Sequence, residues 1–366
     1  MQRAEPSRRR PPSASRPIVL AWVVMFALAF ALRAGGAWVA PFSPAPGDPA
    51  IAAADAVASN LARGSGFTLE TAQGLKPTAA VPPVVPWLMS LAYRGLGHRP
   101  LAMLLLRCAI GALVPLLLAA FGRSLFGDPV GRWSGWLATV HPLLVVTATA
   151  RPLETALAAV MLLALNLSAG WVRTPRAGRA LGAGLTWGGA ALTHAAALPL
   201  PALVAAWGWR PLGLALDAGG RARQLGLLLL GFALVVGPWT LRNALAVHAW
   251  IPVSAAAVGV ASATPWLTLT RGWAVATLPL VVWGVVCSLR GGRRWFQALP
   301  LPIVVALAVT AAVRRGGFDA RVPIEALAAL YAVVGFEDAR RRLRARARGL
   351  TVVPGRRASG PPASGR

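Results

Sequence analysis

The chain has 366 residues, of which 56% are hydrophobic and only 13% are charged. A soluble surface needs about a quarter of its residues charged, so this composition excludes a soluble enzyme, a secreted disulfide scaffold and a disordered chain. The formal net charge of +26 comes from arginines that lie between long apolar runs, which argues against a nucleic-acid partner. We therefore predict an all-α, polytopic bundle of transmembrane helices.

Ten apolar windows have about the length that a helix needs to cross a bilayer. In chain order they are 18–38, 101–122, 133–150, 155–172, 180–196, 197–213, 225–245, 272–289, 297–313 and 321–336. The fifth and sixth share one apolar stretch from Ala180 to Gly213, interrupted by Thr193-His194 and by two prolines. This stretch is either one long kinked helix or two short helices.

The positions of the arginines predict the orientation, because positive charge is retained on the cytoplasmic side. With the N-terminus inside and ten crossings, 25 of the 37 Lys and Arg residues fall in inner loops and tails. Charge therefore favours two spans in 180–213 and a plasma-membrane protein with both termini in the cytoplasm. We expect residues 1–17 and 339–366 to be disordered Arg-rich tails around a membrane domain at 18–338. The second tail either fixes the topology or binds anionic lipid headgroups.

The longest outer segment, residues 40–100, contains two stretches that resemble short helices. Residues 50–63 are rich in alanine and precede Gly64-Ser65-Gly66, a helix-terminating sequence. Residues 82–95 begin with prolines and continue as a short apolar run that includes Tyr93. Both stretches are too short or too polar to span, so we predict helices that lie along the outer interface.

Acidic residues are scarce on the predicted outer side, and two of them stand out. Asp48 lies in a Pro-rich turn after the first span, where it is either a functional carboxylate or the N-cap of the next helix. Glu154 begins the fourth span, where it is either functional or a favourable charge at a helix N-terminus beside Arg151. Charged groups at membrane depth are costly, so they indicate a functional cavity.

Several short motifs follow one another along the chain. They are Asp48 after the first span, Ala58–Leu61 with Gly64–Phe67, Lys76–Thr78 with Pro82–Leu88, Gly122–Gly127, Leu153-Glu154, Gly237–Asn243 with Ile251–Ser254, and Arg321–Pro323. In this order they resemble the polyprenyl-phosphate-sugar-dependent glycosyltransferases of the GT-C fold. That group includes the protein O-mannosyltransferases of glycosyltransferase family 39 and the lipid A aminoarabinose transferases. The resemblance covers residues 18–338, and the segment PWTLRN is its most specific part.

The resemblance implies a hexosyl- or pentosyl-transferase that takes its sugar from a polyprenyl phosphate. The acceptor would be a lipid, a glycan or a protein on the outer face of the membrane. The family's first-loop Asp is regarded as the base that deprotonates the acceptor, a role that falls here on Asp48. Glu154 would orient the acceptor or help to bind a metal, and Arg242 and Arg321 would neutralise the donor phosphate.

Other residues extend this hypothesis or compete with it. Asp55 is a rival for the base, because Pro49 stands where the family often has a second acid. His194, His141 and Lys76 are further candidates for substrate contact. A divalent metal beside Asp48 or Glu154 is conceivable, but the spacing does not decide it. Snorkelling to the interface is the alternative for both Arg242 and Arg321.

Two other functions stay open at this stage. One is a transporter or flippase of lipid-linked intermediates, which predicts inverted repeats and ionisable groups at mid-membrane. The other is a non-catalytic GT-C-like assembly protein, which would not need the outer acids.

Overall fold

The computed structural model describes residues 16–39, 49–254, 267–290, 297–313 and 321–347. The described chain is almost entirely helical. The helices are α1 (Arg16–Val39), α2 (Pro49–Ala62), α3 (Val84–Leu96), α4 (Pro100–Phe126), α5 (Asp128–Val140), α6 (Pro142–Ala150), α7 (Pro152–Arg173), α8 (Ala177–Thr193), α9 (Leu200–Leu212), α10 (Ala218–Ala246), α11 (Leu267–Arg290), α12 (Pro300–Val313) and α13 (Arg321–Ala347). A 3₁₀ turn at Ala195–Ala197 joins α8 to α9, and a two-stranded antiparallel hairpin, β1 (Thr68–Thr71) and β2 (Gly74–Pro77), lies between α2 and α3.

Helix α7 lies at the centre of the main hydrophobic core and packs against α4 and α8. Two of the largest buried side chains of this core are tryptophans, and their indole N–H groups are hydrogen-bonded within the protein. Trp187 donates its indole N–H to Ser168 Oγ at 3.0 Å, and Trp171 donates to Gln224 Oε1 at 3.0 Å. Such pairing is needed where no water can take up the N–H group.

Several helix pairs of the described chain approach so closely that only glycine fits at the contact, and two of them show this most sharply. A Cβ atom on Gly184 of α8 would lie 2.0 Å from the Leu228 carbonyl oxygen of α10. A Cβ on Gly284 of α11 would lie 1.9 Å from the Tyr331 carbonyl oxygen of α13. Close backbone contact through small residues is typical of helices packed in membranes, where apolar burial gives little drive for association.

The all-α membrane bundle predicted from the sequence is confirmed. Within the described residues, four helical segments are at least 18 residues long and apolar enough to cross a bilayer: Val19–Ala37, Pro100–Phe126, Pro152–Arg173 and Ala218–Ala246. Each of them overlaps one of the predicted windows, while the count of ten crossings stays a prediction.

The structure refines three of the predicted segments. The window 133–150 consists of two helices, α5 and α6, because Pro142 cannot donate the backbone bond that would continue α5. The stretch 180–213 is likewise two helices, α8 and α9. The tail predicted to be disordered from residue 339 remains helical as far as Ala347. Pairs of Glu337 with Arg340 and of Asp338 with Arg342, one helical turn apart, support this extension.

The outer segment has the two helices that were predicted, now α2 and α3, and also the hairpin, which was not predicted. Buried residues of α2 and α3 form one cluster with the start of α7, and Ala54, Met89 and Leu153 belong to it. Asp48 and the segments 1–15 and 348–366 lie outside the described residues.

Candidate functional site

Charged and polar side chains from four helices and from the α3–α4 connection lie at the end of the bundle where α2 and α3 pack. We call Asp55, Tyr93, His98, Arg107 and Glu154 the outer charged cluster. Asp55 comes from α2, Tyr93 from α3, Arg107 from α4 and Glu154 from the first turn of α7. The shared hydrophobic cluster beneath fixes these helices relative to one another.

Asp55 is held by two partners in this cluster. The Tyr93 hydroxyl donates a hydrogen bond to Asp55 Oδ1, and His98 Nε2 lies 3.2 Å from Asp55 Oδ2. The His98 ring also packs edge-on against Tyr93, with ring centroids 4.5 Å apart. Burial, the hydrogen bond to Asp55 and the negative charge of Asp55 raise the pKa of Tyr93 well above its usual value, and nearby Arg107 opposes the shift. Tyr93 therefore stays a donor to Asp55 over the physiological range.

Arg107 is a member of the cluster that the sequence analysis did not single out. Its side chain is buried, and Nη1 donates to the Thr149 carbonyl oxygen at 3.2 Å. Within the described chain its Nε has no hydrogen-bond partner, which is unusual for a buried guanidinium. Arg107 also lines a small, mostly apolar pocket with Met89 and Thr155. The sequence did offer a sign of this role, because Arg107 is an arginine inside an apolar window and such residues mark functional cavities.

Glu154 lies in the first turn of α7 and is only 6% exposed. Its Oε1 is 4.0 Å from Arg151 Nη1. A carboxylate at this position is favoured by the helix N-terminus and by Arg151, so the position suits both alternatives from the sequence. Its role in function stays a prediction.

Arg242, near the end of α10, has its guanidinium turned to the hairpin segment. Nη1 donates to the Thr78 carbonyl oxygen at 2.5 Å and to Asn243 Oδ1 at 3.0 Å, and Nη2 donates to the Phe67 carbonyl oxygen at 2.9 Å. The guanidinium also lies 5.4 Å and 5.1 Å from the ring centroids of Phe67 and Trp239. These contacts make Arg242 an anchor of the outer segment, and its predicted contact with phosphate stays a proposal.

His141 lies at the break between α5 and α6 and is almost fully buried. Its Nε2 is 3.6 Å from Glu325 Oε2 on α13, and its ring meets Trp273 of α11 edge-on. Within the described residues, its Nδ1 has no hydrogen-bond partner. Glu325 is thus brought to His141 and not to the outer charged cluster.

The remaining candidates are placed separately. His194 is the residue after α8, and its Nδ1 accepts a hydrogen bond from the Ala196 amide at 3.1 Å. Arg321 is exposed at the first position of α13. Lys76 is exposed on β2, where it bonds to the Gln73 side chain.

The cluster offers two carboxylates that can accept a proton and one arginine, Arg107, that can stabilise an anion. Over the described ranges, no three His, Cys, Asp or Glu side chains come together to hold a metal ion. Asp48, the favoured base and a possible metal ligand, lies outside those ranges. The requirement for a divalent metal thus stays open.

Comparison with known proteins supports the resemblance. A family model described as dolichyl-phosphate-mannose-protein mannosyltransferase matches residues 80–241. This range includes Arg107 and Glu154, and it ends one residue before Arg242. No curated protein matches the chain.

Solved structures resemble nearly the whole chain. ArnT from Cupriavidus metallidurans bound to undecaprenyl phosphate matches with a TM-score of 0.57 and 20% identity, over 92% of this chain and 62% of that one. The Archaeoglobus fulgidus oligosaccharyltransferase tethered to an acceptor peptide matches with a TM-score of 0.59 and 12% identity, over 94% and 52% of the two chains. The oligosaccharyltransferase AglB from the same organism, with an inhibitory peptide and a dolichol-phosphate, has a TM-score of 0.53 and 14% identity, over 95% and 53%.

These matches confirm that the chain has the GT-C fold predicted from its motifs. At 12–20% identity they establish the fold alone. The chain spans between about half and 62% of the length of these structures.

Proposed function

We propose that this chain, with its GT-C fold, is a glycosyltransferase of the plasma membrane. It moves a hexosyl or pentosyl group from a polyprenyl-phosphate donor to a lipid, glycan or protein acceptor on the outer face. The proposal is supported by solved relatives with this fold that hold undecaprenyl phosphate or a dolichol-phosphate.

One observation carries the proposal from fold to chemistry: buried groups of both charges lie at one end of the bundle. Glu154 is 6% exposed and Arg107 is 7% exposed, and both belong to the end that contains α2 and α3. Burying these charged groups costs desolvation free energy, and their interaction with a charged substrate would offset it. A lipid-phosphate donor fits because its phosphate can enter from the side while its chain stays in the bilayer.

The reaction needs a base and a stabilised leaving group. A carboxylate removes the proton from the acceptor hydroxyl as that oxygen attacks the anomeric carbon of the sugar from the face opposite the phosphate. The bond from the anomeric carbon to the phosphate oxygen breaks, and the polyprenyl phosphate leaves with the added negative charge. Inversion at the anomeric carbon follows from this single displacement.

We assign the base to Asp48 and place Asp55 second. Asp55 accepts a hydrogen bond from Tyr93 and lies beside His98, so its oxygens are already engaged. Glu154 orients the acceptor. The phosphate is neutralised by arginines, for which the candidates are Arg107, Arg242 and Arg321.

The test is a transfer assay with the purified full chain in proteoliposomes and radiolabelled polyprenyl-phosphate sugars. Loss of a general base or an orienting carboxylate lowers rates by about 10²–10⁴-fold, so we expect at least about 100-fold slower transfer for Asp48→Asn and Glu154→Gln. Asp128→Asn is the matched control, because Asp128 is exposed and pairs with Arg123 outside the outer charged cluster. A parallel assay with a chelator decides whether a divalent cation takes part.

The same preparation separates the alternatives. Unchanged transfer in both Asp48→Asn and Glu154→Gln would refute the assignment of the site. Movement of the lipid between leaflets without sugar transfer would favour a flippase. A non-catalytic assembly protein would show neither, and its cellular phenotype would survive neutral replacement of every outer acid.

A further inference from the structure

An open pocket of about 720 Å³ lies between α5 and α13, at the end of the bundle remote from the outer charged cluster. Four arginines line it: Arg132 from α5, and Arg340, Arg341 and Arg344 from α13. On α13, Arg344 lies three residues after Arg341 and four after Arg340, so it neighbours both of them on the helix surface. Ligand sites have volumes of about 300–1,000 Å³, so this pocket has room for a lipid headgroup.

The charge in this pocket is poorly balanced. Among the described residues that line the pocket there is one acid, Glu337, which is buried and already accepts a hydrogen bond from Arg340 at 3.1 Å. Arg132, Arg341 and Arg344 are exposed and form no ion pair with any described residue. The positive charges of these arginines repel one another, and a bound anion would reduce this repulsion. Guanidinium groups match phosphate in particular, because they can donate two parallel hydrogen bonds.

Two tryptophans line the pocket beside the arginines, and they favour a lipid over free phosphate as the occupant. Trp133 is 48% exposed and Trp136 is partly buried, and both line the pocket from α5. Exposed tryptophan is enriched at headgroup depth in membranes. The apolar surface continues along α5 to Val140, which is 50% exposed. An occupant with a phosphate and an acyl chain would use both the arginines and this surface, whereas free phosphate would use the arginines alone.

We propose that this pocket binds the headgroup of an anionic phospholipid in the cytoplasmic leaflet. The phosphate contacts Arg132, Arg341 and Arg344, and the glycerol and upper acyl chain lie against Trp133 and Trp136. The proposal does not depend on the glycosyltransferase activity. It goes beyond topology, because a topological role would need arginines on this side but no pocket of this shape.

The experiment compares lipid binding to the purified full chain by native mass spectrometry, using phosphatidylglycerol and phosphatidylcholine as probes. We expect wild type to retain phosphatidylglycerol preferentially. A basic residue near an anionic surface contributes about 1 kcal/mol, so Arg341→Gln combined with Arg344→Gln should weaken this binding about 30-fold. Arg221→Gln with Arg223→Gln removes the same charge from the start of α10 and should leave binding within about 3-fold of wild type.

Other results would overturn the proposal. Equal loss in the two double variants would mean general attraction of lipid to a basic protein. Competition by inorganic phosphate at the concentration of the lipid headgroup would mean a soluble-anion site. Trp133→Ala should weaken binding of phosphatidylglycerol but not that of phosphate, and equal binding of phosphatidylglycerol by this variant and wild type would contradict the assigned wall. Thermal unfolding in phosphatidylcholine confirms that each variant is folded.

Discussion

Buried arginines in this bundle differ in what surrounds the guanidinium. Arg33 of α1 is fully buried and donates to the Ala29 and Ala138 carbonyl oxygens at 2.9 and 3.5 Å, which ties α1 to α5. Arg242 donates to carbonyls of the outer segment and lies beside two aromatic rings. Arg107 makes one bond to a carbonyl, and its Nε, like that of Arg33, has no hydrogen-bond partner within the described structure. Arg107 is thus better placed than Arg242 to receive an anion without breaking existing contacts.

The contacts of Arg242 predict the effect of replacing it with lysine. A lysine ammonium has no planar fork and cannot reproduce the bonds to both the Thr78 and Phe67 carbonyls. We expect Arg242→Lys to lower the free energy of unfolding by about 1–3 kcal/mol and to speed amide hydrogen exchange in residues 64–80. Arg94→Lys is the control, since the exposed Arg94 makes a single bond to the Leu61 carbonyl. Unchanged exchange in Arg242→Lys would mean that this anchor is not needed.

The Tyr93–Asp55 bond predicts a dependence of stability on alkaline pH. The pKa of Tyr93 is raised in the fold, chiefly by burial and then by Asp55, so the folded state holds this proton more tightly than the unfolded state. Its contribution is therefore fully present below the ordinary tyrosine pKa of about 10 and is lost as pH rises toward the folded value. The advantage of wild type over Tyr93→Phe in melting temperature should be constant from pH 7 to 9 and shrink above pH 10. A constant difference up to pH 11.5 would contradict the shift.

The sequence predicts the positions of the helices well and the contacts between them poorly. Long apolar runs give the positions of α4, α7 and α10, because each run must satisfy its own backbone inside a bilayer. The hairpin was missed, because strands of four residues give too short an alternation to stand out. Its signals in the sequence are the β-branched Thr68 and Thr71 and the turn residue Gly74, whose φ is positive in the structure.

Contacts between distant residues explain why the site was only partly predicted. Asp55 was identified as an acid in the outer segment, but its partners Tyr93 and His98 are 38 and 43 residues away. They meet because α3 packs across α2, and a single sequence does not encode that crossing in any local pattern. Arg107 was missed for a related reason, because only the fold shows that it faces the start of α7 and not lipid.

The crossing of α8 and α10 predicts opposite effects for two neighbouring glycines. A Cβ on Gly184 would lie 2.0 Å from the Leu228 carbonyl oxygen, so Gly184→Ala must push the helices apart. We expect it to cost about 1–3 kcal/mol of stability. A Cβ on Gly182 meets nothing within 4 Å, so Gly182→Ala should be neutral or stabilise α8 by up to about 1 kcal/mol. Thermal unfolding of both variants in one detergent is the measurement, and equal effects would contradict this crossing.

The two ends of the bundle differ in the exposure of their arginines. At the outer end, Glu154 and Arg107 are buried, while Asp55 is partly exposed. At the other end, the paired arginines are at least partly exposed, and their acidic partners range from the exposed Asp128 to the buried Glu337. Arg342 bonds to Asp338 at 2.6 Å and lies 5.1 Å from the Trp283 ring, while Arg123 bonds to Asp128 at 2.6 Å. A buried arginine suits a site for an anionic substrate, and partly exposed arginines beside tryptophan suit a membrane interface.

This asymmetry leads to a prediction about orientation that can be tested independently of any activity. Gln73 is exposed in the loop of the hairpin, and Leu343 is 66% exposed near the end of α13, so a cysteine at either position would be accessible. In a background with Cys108 and Cys287 replaced by alanine, a membrane-impermeant maleimide should label Gln73→Cys in intact spheroplasts. It should label Leu343→Cys only after the membrane is permeabilised, because positive charge is retained in the cytoplasm. The reverse pattern would place the outer charged cluster in the cytoplasm, where the proposed transfer on the outer face could not occur.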